Sequence, residues 1–186
     1  GLFGFICNYI CFYYKFIIMY YDQITLDRIN TFHPDFRVWL KELYIEANNK
    51  LLPKGYRLRF TDVLRTIEEQ NELYAQGRTK KGSIVTNAKG GQSIHNYGLA
   101  FDIVILRDLD NNGTFETADF TVNEYWKKIV SFFKSKGFIW GGDFKSFKDA
   151  PHFELSNGLK WSYFKALKTQ AYNRVEYPIL PENYNK

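Results

Sequence analysis

The chain has 186 residues, 45% of them hydrophobic, which is enough for one domain with a single core. Its formal net charge of +5 fits either attraction to an anionic polymer such as a cell wall or simply a mildly basic solvated surface. Nucleic acid is not an expected partner, because the sequence has no dense Lys/Arg run. Thiol chemistry is not expected either, since both cysteines, Cys7 and Cys11, lie in the N-terminal apolar stretch.

That stretch, residues 1–21, is apolar and aromatic and approaches the length of about 20 residues that a membrane-spanning helix needs. We predict that residues 1–21 are the remnant of an export or anchoring segment, through which the protein associates with a membrane. The charge of Lys15 in its middle leaves open a buried first helix or strand instead. Residues 22–186 are predicted to form a single domain, and a monomer.

Periodicity predicts helices and strands along that domain. Apolar residues at helical spacing predict a helix over residues 34–49, and alternation predicts a strand over residues 56–63. The capping boxes Thr66-x-x-Glu69 and Thr121-x-x-Glu124 each predict a helix start.

Further short strands are predicted at residues 138–140 and 153–155, a last helix over residues 160–170, and an irregular tail after it. The predicted fold class is α+β, with a small, mostly antiparallel sheet and packed helices.

One acid interrupts the most apolar strand. Residues 99–106 are apolar except for Asp102, and a carboxylate buried in a strand is costly unless it is paired or bound to a metal. Gly98 permits a tight turn that would bring His95 over the same face as Asp102. The sequence therefore predicts two ligands of a metal site here.

A second motif supplies the remaining groups. His152 lies in an apolar context, three residues after Asp149. A catalytic zinc site needs three protein ligands, an open position and a nearby carboxylate that takes a proton from water. We therefore predict His95, Asp102 and His152 as ligands of Zn²⁺ and Asp149 as the base.

These motifs resemble the M15 (VanY-type) zinc peptidases. The resemblance rests on the spacing Ser-x-His-x-x-Gly-x-Ala-x-Asp from Ser93 to Asp102, on the Trp-Gly-Gly-Asp-Phe run at 140–144, and on Asp149-x-x-His152-Phe. Residues 69–79 and 84–88 are similar to the L-alanyl-D-glutamate endopeptidases, which are bacterial wall-remodelling enzymes and phage endolysins. The D,D-dipeptidases of the family carry Glu where this chain has Asp149, which favours the endopeptidase branch.

The resemblance implies the rest of the site. Arg65 matches the family arginine that polarises the scissile carbonyl, and Gln70 and Ser93 match positions that line the substrate cleft. The implied fold is that of the hedgehog/D-Ala-D-Ala peptidases. The implied activity is hydrolysis of the L-Ala–D-Glu bond of peptidoglycan stem peptides, in the cell envelope or after secretion, and a phage endolysin remains a possible origin. Two alternatives stay open: a D,D-carboxypeptidase and a non-catalytic wall-binding domain.

A second cation site is predicted in residues 108–119, which resemble a calcium-binding loop. Oxygen-bearing side chains and a glycine stand at the spacing of such loops: Asp108, Asp110, Asn112, Gly113, Thr114 and Asp119. Position 12 of the loop is Asp rather than Glu, and a strand rather than a helix precedes it. An ordinary polar turn is therefore the alternative to a Ca²⁺ site.

Overall fold

The computed structural model describes residues 19–184. The predicted apolar segment at residues 1–21 falls almost wholly outside them, as do Cys7 and Cys11. Within residues 19–184, each helix is too short or too polar to cross a bilayer.

Two helices precede the sheet. The helix α1, Gln23–Ile29, was not predicted; it begins at Asp22, whose carboxylate accepts the Thr25 N–H at 3.0 Å. The helix α2, Arg37–Lys50, confirms the predicted helix over residues 34–49. Both helices pack on the first strand, and Arg59 of that strand donates two hydrogen bonds to Asp22, at 2.7 and 3.0 Å.

The central sheet is antiparallel throughout. Its strands are β1 (Tyr56–Asp62), β2 (Ala100–Arg107), β3 (Thr117–Asp119), β4 (Ile139–Trp140) and β5 (His152–Glu154). The order is β1-β2-β5-β4, and β3 pairs with the far end of β2, beside β5. Mixed helices and an antiparallel sheet confirm the predicted α+β class.

Alternation along β2 sends Asp102 and the core residues to opposite faces. Phe101 is fully buried and stacks on Phe60 of β1 and Phe153 of β5, with ring centroids 4.2 and 5.4 Å apart. The helix α4, Glu124–Ser135, covers this aromatic row through Phe133. The main core therefore occupies one face of the sheet, and Asp102 lies on the other face, where Ala100 belongs to a second, smaller apolar cluster.

The two predicted capping boxes have different outcomes. Thr66 caps α3, Ile67–Ala75, in the box with Glu69 that the sequence predicts. The prediction for Thr121 is wrong: α4 begins at Glu124, and Asn123 is its N-cap, accepting the Trp126 N–H at 3.0 Å. Asn is a stronger N-cap than Thr, and the Thr121 N–H is already bonded to Asp119.

The C-terminal region departs from the prediction. The last helix, α5, is only Trp161–Ala166, and the tail predicted to be irregular forms the hairpin of β6 (Thr169–Tyr172) and β7 (Val175–Pro178). Its two-residue turn has positive φ at Asn173 and Arg174 (49° and 67°), as a type I′ turn requires. His33 packs here, with Nε2 2.8 Å from the Pro178 carbonyl oxygen, and so lies outside the metal motif.

Candidate metal centre

His95 lies in a short 3₁₀ helix, Ile94–Tyr97, just before β2. Ser93 caps this helix by accepting the His95 N–H at 3.3 Å. Gly98 then takes a left-handed conformation (φ 67°), which only glycine adopts readily, and the chain enters β2. An added Cβ at Gly98 would also lie 2.8 Å from the Tyr177 ring. The turn predicted at Gly98 therefore brings His95 back over the start of β2.

The other two residues of the cluster are cross-strand neighbours. Asp102 of β2 is paired in register with His152 of β5, so their side chains leave the same face of the sheet. Before β5, the backbone at Asp149 packs closely against a second 3₁₀ helix, Gly141–Asp143. An added Cβ at Gly141 would lie 2.4 Å from the Asp149 carbonyl oxygen, so this close approach requires glycine.

His95, Asp102 and His152 each direct one potential ligand atom to the same point. His95 Nε2 lies 3.2 Å from Asp102 Oδ1 and 3.1 Å from His152 Nδ1, and the third distance, His152 Nδ1 to Asp102 Oδ1, is 3.2 Å. Ligand atoms of a tetrahedral zinc centre, with bonds of about 2.0–2.1 Å, are about 3.3 Å apart. The triangle therefore has the size of one face of such a tetrahedron.

The outward nitrogens determine which way the lone pairs face. His95 Nδ1 lies 2.7 Å from the Val63 carbonyl oxygen, which can only accept, so Nδ1 carries the proton. His152 Nε2 likewise donates to a carboxylate oxygen of Glu154, at 2.9 Å. When both rings are neutral, the inward nitrogens are therefore lone-pair donors beside the Asp102 carboxylate, an arrangement that a bound cation would stabilise.

The charges of the cluster fit the same conclusion. Burial alone would raise the pKa of Asp102, but His95 and His152 outweigh it and hold that pKa well below its ordinary value. Burial alone would lower the pKa of His152, but Asp102 and Glu154 outweigh it and raise that pKa. The pocket thus favours an ionised carboxylate and positive charge at the same point, as a cation site requires.

Asp149 lines the same cleft. Burial, assisted by the negative charge of Asp102, raises its pKa above the ordinary value, although His152, His95 and Arg65 counteract part of the shift. A carboxylate with a raised pKa is a better proton acceptor than an exposed one. Asp149 is therefore suited to the base role that the sequence predicts for it.

Arg65 is held rigidly at the edge of the cluster. Its guanidinium donates to Asp62 and, at 2.8 Å, to Gln70 Oε1, and it lies 3.4 Å from Asp102 Oδ2. Its side chain is only 12% exposed. A guanidinium fixed in this way can stabilise negative charge on a substrate oxygen without reorganising first.

Gln70 lies elsewhere than the resemblance implies. Its side chain is fully buried and lies behind Arg65, with its amide nitrogen bonded to the Ala88 carbonyl at 2.8 Å. It is therefore placed to orient Arg65 rather than to line the cleft. Ser93, by contrast, does line the cleft besides capping the 3₁₀ helix of His95.

The cleft itself has a volume of about 780 Å³. Aromatic side chains line it: Phe120, Phe144, Phe147 and Trp161. The cluster of His95, Asp102 and His152 lies in this cleft together with Arg65 and Asp149. The site is thus open to a ligand of peptide size, with polar groups at one point and apolar walls around it.

Sequence reasoning missed two acids that hold site residues. Asp62 pairs with Arg65 three residues later, and Glu154 bonds His152 two residues before it. For Glu154, alternation with His152 along β5 was the available signal. Asp62 has the same parity as Phe60 in the core, and it lies opposite Asp102 because the register shifts between Phe60 and Asp62.

The predicted calcium loop lies at the far end of β2. Asp108 follows that strand, roughly 20 Å along it from Asp102. Its carboxylate accepts the N–H groups of Asn112 and Gly113, at 3.1 and 3.0 Å. Within residues 19–184, three metal-capable side chains converge only at His95, Asp102 and His152. The acids of the loop would therefore have to converge when a cation binds, and the Ca²⁺ site stays a prediction.

If the loop binds Ca²⁺, millimolar Ca²⁺ should raise the melting temperature of the protein, because the cation relieves repulsion among the loop acids. Saturation at a hundred times the dissociation constant corresponds to about 2.7 kcal/mol of added stability. The double substitution Asp108→Asn with Asp110→Asn should remove the response and leave metal binding at His95, Asp102 and His152 unchanged. A melting temperature that does not respond to Ca²⁺ at low ionic strength would assign the loop as an ordinary turn.

Comparison with known proteins agrees with this geometry. Residues 86–155 match an M15 peptidase family model described as D-alanyl-D-alanine carboxypeptidase. Over 109 residues, the chain is 45% identical to the peptidoglycan L-alanyl-D-glutamate endopeptidase CwlK of Bacillus subtilis (strain 168). That alignment covers 55% of this chain and 62% of CwlK, so it spans less than two thirds of the relative.

A solved structure shares the fold. The L-Ala D-Glu endopeptidase ChiX of Serratia marcescens superposes with a TM-score of 0.50 at 18% identity, covering 75% of this chain and 92% of ChiX. The fold and the cluster define a domain with a candidate metal site. The region matched by the family model contains His95, Asp102 and His152.

Proposed function

We propose that the protein is a zinc-dependent peptidoglycan endopeptidase that hydrolyses the L-Ala–D-Glu bond of stem peptides. The observation that carries the proposal is the convergence of three inward lone-pair donors, at 3.1–3.2 Å from one another, in a cleft that also contains Asp149 and Arg65. His95, Asp102 and His152 would hold the cation. Zinc is favoured because two imidazoles and one carboxylate are a typical donor set of catalytic zinc sites.

Each residue has a distinct task in the hydrolysis. A bound zinc ion supplies a Lewis acid that acidifies water and polarises a carbonyl. Asp149 accepts the proton of the attacking water and returns it to the amine that leaves. Arg65 stabilises the negative charge that develops on the carbonyl oxygen. Ser93 and the aromatic walls of the cleft bind the peptide around the scissile bond.

The choice of bond follows from similarity and from one residue. CwlK, 45% identical over the aligned region, is named for the L-alanyl-D-glutamate bond. In addition, this chain has Asp149 at the position where the D,D-dipeptidases of the resembled family carry Glu. The description of the matching family model favours a second candidate, a D-alanyl-D-alanine carboxypeptidase. A non-catalytic wall-binding domain is disfavoured, because binding alone needs neither a half-buried base nor a fixed guanidinium.

Digestion of purified muropeptides with the zinc-loaded protein tests the proposal. Mass spectrometry should detect a new N-terminal D-Glu or D-isoglutamine and a free L-Ala end. Release of a terminal D-Ala would assign the protein to the carboxypeptidase reaction instead. Muropeptides left intact by folded, zinc-loaded protein would support the wall-binding alternative, and Asp149→Asn protein serves as the inactive control.

The partner and the location follow from the substrate. Peptidoglycan lies in the cell envelope, and a net charge of +5 would favour approach to an anionic wall. We therefore propose action in the envelope or after secretion. Membrane association through residues 1–21 and a monomeric state stay predictions.

A further inference from the structure

A hydrogen-bond network of side chains extends outward from the metal cluster, beginning at His152. His152 Nε2 lies 2.9 Å from Glu154 Oε2, and the other oxygen, Glu154 Oε1, accepts a hydrogen bond from Ser156 Oγ at 2.6 Å. Ser156 is fully buried, and the Glu154 side chain is only 13% exposed. Neither residue was singled out by the sequence motifs.

The backbone after β5 fixes this hydrogen-bond network in place. The Leu155 N–H donates to the Leu99 carbonyl oxygen at 2.8 Å, which ties the end of β5 to the start of β2. Asn157 and Gly158 then take positive φ (52° and 76°), and the turn lets the Gly158 N–H donate to Ser156 Oγ at 3.3 Å. The Ser156 hydroxyl is therefore oriented from behind and donates toward Glu154.

We propose that Glu154, oriented by Ser156, is a positioning residue that keeps His152 in the Nε2–H tautomer and its Nδ1 lone pair directed at the cation. This inference rests on the proposed metal site. A neutral imidazole has one proton and can carry it on either nitrogen, so an acceptor at Nε2 selects the tautomer whose Nδ1 is free to bind a metal. Without that acceptor, a proton on Nδ1 would point into the cluster and compete with the cation.

The two histidines differ in how they are held. The backbone carbonyl of Val63 performs this task for His95, whereas a side chain performs it for His152. Because Glu154 leaves the same strand as His152, two residues later, both side chains lie on the cleft face of β5. The contribution of Glu154 can therefore be removed by substitution without changing any metal ligand.

Zinc affinity, measured on the full chain by competition with a chelator, tests the proposal. Glu154→Ala should weaken zinc binding on the order of 10–100-fold, as loss of an outer partner of a ligand does. Glu154→Gln retains an acceptor for His152 and a group that can bond Ser156, so it should rescue most of the affinity. Glu176→Gln, at an exposed position of β7, is the matched control and should bind zinc like the unsubstituted protein.

A second measurement reads the tautomer directly. The chain has only three histidines, so their ring nitrogens can be assigned by ¹⁵N NMR of the metal-free protein at a pH high enough for the rings to be neutral. His152 should carry its proton on Nε2 in the unsubstituted and Glu154→Gln proteins and lose that preference in Glu154→Ala. If Glu154→Ala does not fold, Ser156→Ala should show a smaller loss of zinc affinity in the same direction.

Distinct outcomes separate this inference from the proposed function. An unsubstituted protein that binds no zinc would contradict the metal site, while the tautomer measurement would still test Glu154. Unchanged affinity and tautomer in folded Glu154→Ala would overturn the inference and leave the proposed function intact. Equal losses in Glu154→Gln and Glu154→Ala would also overturn it, since charge rather than positioning would then be responsible.

Discussion

Asp149→Ala is expected to leave the zinc content of the protein intact and to abolish turnover of stem peptides. Asp149 lies in the cleft but outside the cluster of three converging atoms, so its removal takes away a proton acceptor and no ligand. General-base catalysis contributes about 10²–10⁴-fold to a rate, and a loss of that size should appear in kcat. Metal analysis and the rate of muropeptide cleavage, measured on the same samples, check both parts.

Substitutions of the three predicted metal ligands should have the opposite effect on zinc content. His95→Ala, Asp102→Ala and His152→Ala should each lower both zinc content and activity, because each removes one corner of the 3.1–3.2 Å triangle. Asp27→Ala, an exposed acid on α1, should change neither. If Asp149→Ala lost zinc as completely as His152→Ala, Asp149 would be a ligand and the assignment of the base would be wrong.

Arg65→Ala should lower kcat/KM on the order of 10²–10³-fold while the protein keeps its zinc. The guanidinium lies 3.4 Å from Asp102 Oδ2 and is held by Asp62 and Gln70, so it is already oriented when a substrate oxygen becomes negative. Arg65→Lys should restore little, because an ammonium cannot form the same bonds to both partners. Steady-state kinetics on a synthetic stem peptide would measure both effects.

Gln70→Ala provides a graded comparison. Gln70 is buried behind Arg65, so its loss should weaken the orientation of the guanidinium and lower the rate less than Arg65→Ala does. Equal activity of Arg65→Ala and the unsubstituted protein would show that the cation alone stabilises the developing charge. A larger effect of Gln70→Ala than of Arg65→Ala would contradict the positioning role.

Sequence reasoning recognised the groups whose signals are local. A lone acid in the apolar strand of Asp102, a glycine that permits the turn after His95, and strand alternation are all properties of short segments. The same holds for the capping box at Thr66. These features needed no knowledge of which strands are neighbours.

What the sequence alone did not determine depends on contacts between distant segments. The register of β2 with β5 sets Asp102 opposite His152, 50 residues apart, and the burial of Gln70 behind Arg65 depends on the loop of Ala88. The C-terminal hairpin also escaped prediction, since its strands are short and its turn lacks glycine. Such placements follow from how the whole chain packs, because loop closure and shared burial, rather than local preference, determine which side chains meet.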